Sequence, residues 1–162
     1  MNCLEKNQID EWSSIRGYSF TGRTNRPVLP VGAGREVRFF GQSATPQGLE
    51  LETAAWCVES LAEWDECLLW ITQTGVWPSS ENWPRFYEAR GVEGELRSLE
   101  VAPGHLFDSS ERDKLAQFVR LTLENAWDGA VLPALQGVRT PRFAIVSHDE
   151  WVELVVSKPE AA

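Results

Sequence analysis

The stretch Leu115-Ala-Gln-Phe-Val-Arg-Leu-Thr-Leu-Glu-Asn-Ala-Trp127, followed by Ala130-Val-Leu-Pro-Ala-Leu135, determines the class of this fold. In its first part, apolar side chains return every three or four residues, which is the spacing of an amphipathic helix. Asp108-Ser-Ser-Glu111 precedes this helix and offers Ser109 or Ser110 as the N-cap, with acidic residues in the positive first turn. The second part is a short apolar run typical of a strand, so a helix leads directly into a sheet.

Further strands are predicted on both sides of this unit. Arg142-Phe-Ala-Ile-Val146 follows as the next strand. Pro133 indicates that the strand which contains it, at residues 130–135, is at a sheet edge or bulged. Cys67-Leu-Leu-Trp-Ile-Thr72 has the composition of a central strand that is buried on both faces. Two more strands are predicted, at Glu36–Phe40 and Leu96–Val101.

Three further helices complete the predicted elements. Apolar residues recur at helical spacing from Gly48 to about Trp64. Ser79 or Ser80 caps a helix that runs to about Arg90, and His148-Asp-Glu150 starts a last short helix. This order predicts an α+β domain, a mixed β-sheet packed with about four helices, over residues 1–162. The Gly-, Pro- and Arg-rich residues 1–34 are expected to form a loosely structured N-terminal segment.

The charge of the chain is strongly acidic and unevenly distributed. Fifteen Lys and Arg against twenty-four Asp and Glu give a formal net charge of -9. Such a charge repels a phosphate backbone, which excludes nucleic acid from the expected partners. It would steer a cationic protein toward the molecule, although an acidic excess also serves solubility alone. Residues 46–162 carry twenty of the acidic groups.

The cellular setting is predicted from the apolar runs and the cysteines. No apolar run approaches the length that spans a bilayer, and Met1–Asp10 is polar where a secretory signal is apolar, so we expect a cytoplasmic protein without a membrane partner. Cys3, Cys57 and Cys67 are an odd number with no CxxC pair. We expect thiols, with Cys57 and Cys67 as small buried hydrophobes.

Two groups of residues are candidates for binding a protein partner. Glu59, Glu63, Asp65 and Glu66 cluster at the end of the helix that begins near Gly48, where carboxylates oppose the helix dipole unless a partner or a nearby Arg compensates them. The second group lies in and after the turn that follows the central strand. It comprises Trp77, Glu81 and Trp83, because tryptophan is enriched in interface hot spots. Most of the eight tryptophans are expected in the core.

A resemblance is carried by three boxes of this sequence. They are Gly75-Val-Trp-Pro-Ser-Ser-Glu-Asn-Trp83, Ala102-Pro-Gly-His-Leu-Phe107 and Ser147-His-Asp-Glu150. The chain resembles, over residues 67–151, a group of uncharacterised bacterial proteins in which similar boxes recur in this order. The resemblance implies no activity. Small acidic bacterial proteins of this sort are frequently immunity proteins of toxin systems, and this association favours that class.

The two histidines are the candidates for catalytic and metal chemistry. His105 lies near Asp108, so it could be a base that a carboxylate orients and that activates Cys57, Cys67 or a serine. The sequence contains no nucleophile elbow, however. A structural hydrogen bond of His105 in a turn is therefore favoured over a catalytic role. His148-Asp-Glu150 with His105 fits no metal-ligand spacing, and a cap by Ser147 or Asp149 is simpler. No cofactor is expected.

Three functions follow, in order of preference. The first is an acidic protein-binding module, most concretely an immunity protein that covers a basic toxin. The second is a small-ligand-binding protein or an enzyme that uses residues 75–82 with His105. The third is a structural subunit of an assembly, which would show a broad apolar patch.

Overall fold

The computed structural model describes residues 1–39, 46–75, 83–137 and 142–156. Its elements in chain order are β1 (Asn2–Leu4), α1 (Lys6–Ile15), β2 (Gly34–Phe39), α2 (Pro46–Ser60), β3 (Glu66–Gln73), α3 (Trp83–Val92), β4 (Gly104–Asp108), a single 3-10 turn (Ser109–Glu111), α4 (Arg112–Glu124), β5 (Asp128–Ala134), β6 (Arg142–Ser147) and β7 (Trp151–Val156).

The seven strands form one sheet in the order β1-β4-β3-β5-β6-β7-β2. Every pairing among the described strands is antiparallel, whereas a mixed sheet was expected. The α+β class, a sheet packed with four helices in a single domain, is confirmed. Helices α2, α3 and α4 cover one face of the sheet; α1 and residues 17–33 cover the other.

The core therefore has two layers, one on each side of the sheet. Along β3, Cys67, Leu69 and Ile71 face the three helices, while Leu68 and Trp70 face α1. This alternation follows from the two-residue period of a strand. Because both faces are covered, β3 is a continuous apolar run, as its sequence predicted.

The N-terminal segment differs from the expectation of loosely structured chain over residues 1–34. Residues 2–15 form β1 and α1, and Ile9 and Trp12 are buried against the sheet. Residues 16–33 are irregular, but Tyr18, Phe20 and Leu29 still pack on the same cluster. This segment completes the core because the sheet needs an apolar cover on its second face.

Two predicted elements are wrong. Residues 96–101 form turns instead of a strand: Leu96 and Val101 are exposed, and only Leu99 of the apolar residues there is buried. The last helix is the strand β7, reached from β6 through a turn in which Glu150 has φ +63. Val152, Leu154 and Val155 are buried, and a strand that is covered on both faces accommodates them.

Pro133, which predicted an edge or bulged strand, lies in the inner strand β5 at a place where that strand has no partner on its β6 side. Its strand lies between β3 and β6, but the pairing with β6 runs only from Gly129 to Val131. The Pro133 carbonyl accepts a hydrogen bond from the Tyr18 hydroxyl instead of from a strand. In a strand, the N–H and C=O of one residue point to the same side. The side on which Pro133 lacks an N–H is therefore the side on which β5 and β6 have separated.

Candidate functional site

The predicted acidic residues lie at the turn between α2 and β3. Glu59, Glu63 and Asp65 are exposed, and Glu66 is half-buried as the first residue of β3. Ala62 has φ +64, a left-handed conformation that reverses the chain between helix and strand. We call Glu59, Glu63, Asp65 and Glu66 the acidic turn.

Two arginines hold the acidic turn in place. Nη2 of Arg112 donates to the Ala62 carbonyl at 2.6 Å, and Nη1 of Arg142 donates to the Ser60 carbonyl at 3.2 Å. The last carbonyls of a helix have no partner within it and carry partial negative charge. Arg142 therefore places positive charge at the end of α2, and Arg112 places it on the turn that follows.

Beside the acidic turn lies a groove of about 1010 Å³. It opens on the α1 side of the sheet, where β5 and β6 separate, and Phe143 and Tyr18 line it there. Its lining includes the exposed apolar side chains of Ile15 and Val28, which are 74% and 49% exposed. Asp65, Glu66 and Arg16 supply its charged groups. The groove combines apolar walls with a net negative end.

Asp65 has a fixed orientation in this groove. Its backbone N–H donates to the Ala134 carbonyl at 2.8 Å, and its carbonyl accepts from the Ser109 N–H at 3.0 Å. Oδ2 accepts from the Gln136 N–H at 2.8 Å. Among the described residues, Oδ1 has no hydrogen-bond or ion-pair partner, so it is available to a ligand.

Glu66 is the centre of a three-residue cluster. Its Oε2 accepts from Trp12 Nε1 at 3.1 Å and from Arg16 Nη2 at 2.5 Å. The Arg16 guanidinium lies over the Trp12 ring at 4.2 Å from the centroid, and its Nη1 donates to the Trp12 carbonyl at 3.1 Å. Stacking on an aromatic face and a charge-assisted hydrogen bond are the two contacts that suit a guanidinium best. We call this cluster the guanidinium seat.

Trp83 is placed far from the acidic turn. It begins α3 and is 55% exposed, with the Tyr87 ring at 6.0 Å. Arg85 pairs with Glu124 at the end of α4, whereas Asp65 contacts Ser109 just before that helix. The 13 residues of α4 separate the two places by roughly 20 Å at 1.5 Å per residue. Trp77 and Glu81 lie outside the described residues, as do Ser79 and Ser80.

His105 lies in the core and does not face a cleft. It is completely buried between Phe86 and Phe118, with ring centroids at 5.4 and 5.5 Å. Burial, reinforced by the nearby Arg90 charge, lowers the pKa of His105 to about 3, although the Leu69 and Pro103 carbonyls oppose this. Neither ring nitrogen has a well-aligned hydrogen bond to the described residues.

The cysteines behave as buried apolar residues. All three are free thiols, and Cys57 and Cys67 have no exposed surface. Burial raises the pKa of Cys57 to about 12 and raises the pKa of Cys67 as well. Since the thiolate is the nucleophile, neither residue suits covalent chemistry with His105.

His148 pairs with Asp128 and not with a metal set. Its Nδ1 lies 2.8 and 2.9 Å from the two Asp128 oxygens, and its backbone N–H donates to the same carboxylate. The Ser147 hydroxyl accepts from the Asp149 N–H, but this bond lies in the turn before β7, so the predicted helix cap is wrong. Among the residues that the structure describes, no three His, Cys, Asp or Glu side chains are grouped to hold a metal ion.

Sequence reasoning missed the residues that complete the groove. Trp12 and Arg16 come from the segment expected to be loosely structured, and Tyr18 and Gln136 belong to loops. A usable signal existed only in α1, where Gln8 Oε1 accepts from the Glu5 N–H in the manner of a capping box. Trp12 and Arg16 are then four residues apart on one helix side, at the spacing that brings such pairs into contact.

Comparison with known proteins adds no relative to this description. The chain matches no protein family, no curated protein and no solved structure. Within its described ranges, none of the helices has both the length and the apolar character needed to cross a bilayer.

Proposed function

We propose that the protein is an acidic protein-binding module that recognises a basic partner through the acidic turn and the adjoining groove. The observation that carries this proposal is that Glu59, Glu63 and Asp65 are exposed and have no ion-pair partner among the described residues. Exposed carboxylates of this kind steer a cationic protein and fix its register on the surface.

Several acidic residues elsewhere in the chain form internal ion pairs. Lys114 pairs with both Glu93 and Glu111, and Arg97 pairs with Glu95 and Glu5. Arg85 and Arg120 both pair with Glu124. In the acidic turn, Arg112 and Arg142 bind backbone carbonyls, and only Glu66 is ion-paired among the described residues, with Arg16. The negative charge there is available to a second molecule.

The most concrete form of this function is that of an immunity protein bound to a toxin. A toxin that acts on nucleic acid needs positive charge where it meets phosphate. An inhibitor that covers this place needs carboxylates, because these form strong charge-assisted hydrogen bonds with arginine and lysine. The apolar walls of the groove would add contact area beside those bonds.

The enzyme alternative loses its candidate base in this structure. A general base must reach substrate and should have a pKa near the working pH. His105 has no exposed surface, and its pKa is lowered to about 3. The other half of that alternative, residues 76–82, lies outside the described residues. The binding function therefore has the stronger support.

The test is capture of a partner by the purified protein, followed by charge reversal. The triple variant Glu59→Lys, Glu63→Lys and Asp65→Lys should weaken binding of a basic partner roughly 10- to 100-fold, mainly through the association rate, and the loss should shrink as salt is raised. A matched control reverses Glu36, Glu88 and Glu100, which are also exposed and without ion pairs in the described chain.

The control variant should bind within about threefold of the parent protein, since its net charge changes equally but at other places. Calorimetry or surface plasmon resonance measures both. If the captured partners are not basic, or if the two triple variants weaken binding alike, the acidic turn is not the recognition surface.

A further inference from the structure

The guanidinium seat is a complete recognition site for an arginine side chain. Trp12 offers its ring face and its carbonyl, and Glu66 offers Oε2. The indole N–H of Trp12 also donates to Glu66, which holds the carboxylate in the position that receives the guanidinium. The seat now holds Arg16 of the same chain.

Arg16 is not locked into the core. Its side chain is 28% exposed and that of Glu66 is 39% exposed, so both line the open groove. An ion pair at such exposure contributes little to stability, because water competes for both charges. A second guanidinium that makes the same contacts with Trp12 and Glu66 can therefore replace Arg16 at little cost in ion-pair energy.

The groove offers a replacing segment more contacts than Arg16 has. Ile15 and Val28 are exposed apolar residues on its wall, and Asp65 Oδ1 has no partner in the described part of the chain. A bound segment would cover the apolar wall and place a second donor on Asp65. Arg16 reaches the seat from α1 and has only its own contacts there.

We infer that an arginine-bearing segment of the basic partner binds in this groove, and that its guanidinium displaces Arg16 from the seat formed by Trp12 and Glu66. The inference rests on the proposed function and names the chemistry of its partner. Arginine is specified over lysine because a planar guanidinium can stack on the indole while it donates sideways to Glu66. Arg16 then acts as an internal competitor.

The guanidinium seat can be tested without the partner by removing the Arg16 side chain that occupies it. The variant Arg16→Ala should bind N-acetyl-arginine amide at least about tenfold more tightly than the parent protein, because the competing side chain is gone. N-acetyl-citrulline amide, which has a similar shape without charge, should not bind. The readout is the NMR resonance of the Trp12 indole N–H, because this group donates to the Glu66 carboxylate that the probe would contact.

Matched variants separate this site from general charge effects. Arg26 also lies over a tryptophan ring, that of Trp151, at 5.4 Å from the centroid. In the described chain no carboxylate pairs with Arg26, so Arg26→Ala is the matched control. This variant should not gain binding of the arginine probe. The double variant Arg16→Ala/Glu66→Gln should lose it again. Arg16→Lys keeps the charge and covers the case in which the alanine variant folds poorly; it should bind the probe more weakly than Arg16→Ala.

The partner arm distinguishes the two proposals. Arg16→Ala should bind the basic partner several-fold more tightly than the parent protein, whereas a purely structural role of Arg16 predicts weaker or unchanged binding. A folded Arg16→Ala protein that ignores the arginine probe, or binds the citrulline probe equally, overturns the seat even if a basic partner is captured. If the probe binds but no basic partner exists, the seat stands and the proposed function fails.

Discussion

The two faces of the sheet are covered in different ways. On one face, α2, α3 and α4 pack an aromatic and aliphatic layer in which Phe118 contacts both Phe86 and Phe107. On the other face, the cover that the described residues provide comes from the ten-residue α1 and the irregular residues 16–33. There the contacts are made by single side chains, such as Phe20 against Trp70 at 4.9 Å.

This difference explains where the groove lies. Helices fill a face evenly because their apolar sides are continuous, whereas an irregular segment covers it only where a large side chain points inward. The groove opens on the thinly covered face, between the end of α1 and the place where β5 leaves β6. The groove of the proposed recognition surface therefore lies on the thinly covered face of the sheet.

The largest effect should come from truncating an aromatic residue on the helical face. Phe118→Ala removes a side chain that is 1% exposed and contacts three rings, so we expect a loss of about 3–5 kcal/mol in the free energy of unfolding. Phe20→Ala on the other face removes a half-buried ring and should cost about 1–2 kcal/mol. Urea unfolding at pH 7 measures both, and equal losses would show that the two covers are equally tight.

The second-largest effect is the loss of stability at acidic pH that His105, on the helical face of the sheet, should cause. Its pKa is about 3 in the folded protein and 6.5 in a free chain, so the unfolded state takes up the proton first. Stability is therefore full above pH 6.5 and falls as the pH drops from 6.5 toward 3. Between pH 7.5 and 4.5 this amounts to about 2–3 kcal/mol.

His105→Leu should remove that part of the acid sensitivity. Urea unfolding of both proteins at pH 7.5 and 4.5 gives the difference directly. Glu95, whose pKa the Arg97 hydrogen bond lowers to about 2, loses its stabilising effect only below about pH 4.5 and does not disturb the comparison. An unchanged pH dependence in the leucine variant would mean that His105 is protonated or hydrated in the folded protein.

A smaller effect tests the packing of α1 on the thin face. A Cβ at Gly104 would lie 2.8 and 2.9 Å from Cγ1 and Cδ1 of Ile9, so Gly104→Ala should destabilise by about 1–3 kcal/mol. The double variant Gly104→Ala/Ile9→Ala should lose at least about 1 kcal/mol less than the sum of the single variants, because the second change removes the clash. Additive losses in this double-mutant cycle would place Ile9 elsewhere.

The parts of the fold that the sequence predicts are those with one clear period. The 3.6-residue spacing of Leu115, Phe118 and Val119 gives α4, and the unbroken run of β3 gives a central strand. β7 is not predictable in this way, because Trp151, Leu154 and Val155 have spacings that also suit a helix and Glu153 interrupts the apolar run. Glu153 is 1% exposed and pairs with Arg35 of β2, a contact that no local pattern contains.

The candidate site was only half predictable for the same reason. The acidic turn is contiguous in sequence, so its carboxylates could be found by composition and placed at a helix end. The groove beside it joins Arg16, Val28 and Gln136, which come from three separate segments. Its shape arises from the separation of β5 and β6 at Pro133, and a proline alone indicates only that a ladder is interrupted.

The strand order gives this protein a demanding folding route. Both outer strands, β1 and β2, come from the first 39 residues, yet β1 pairs with β4 and β2 with β7. The Arg35–Glu153 ion pair joins residues 118 positions apart. Contacts of such range require closing a large loop before they stabilise anything, so folding should be slow for a domain of this size. During synthesis, β2 has no strand to pair with until β7 has left the ribosome.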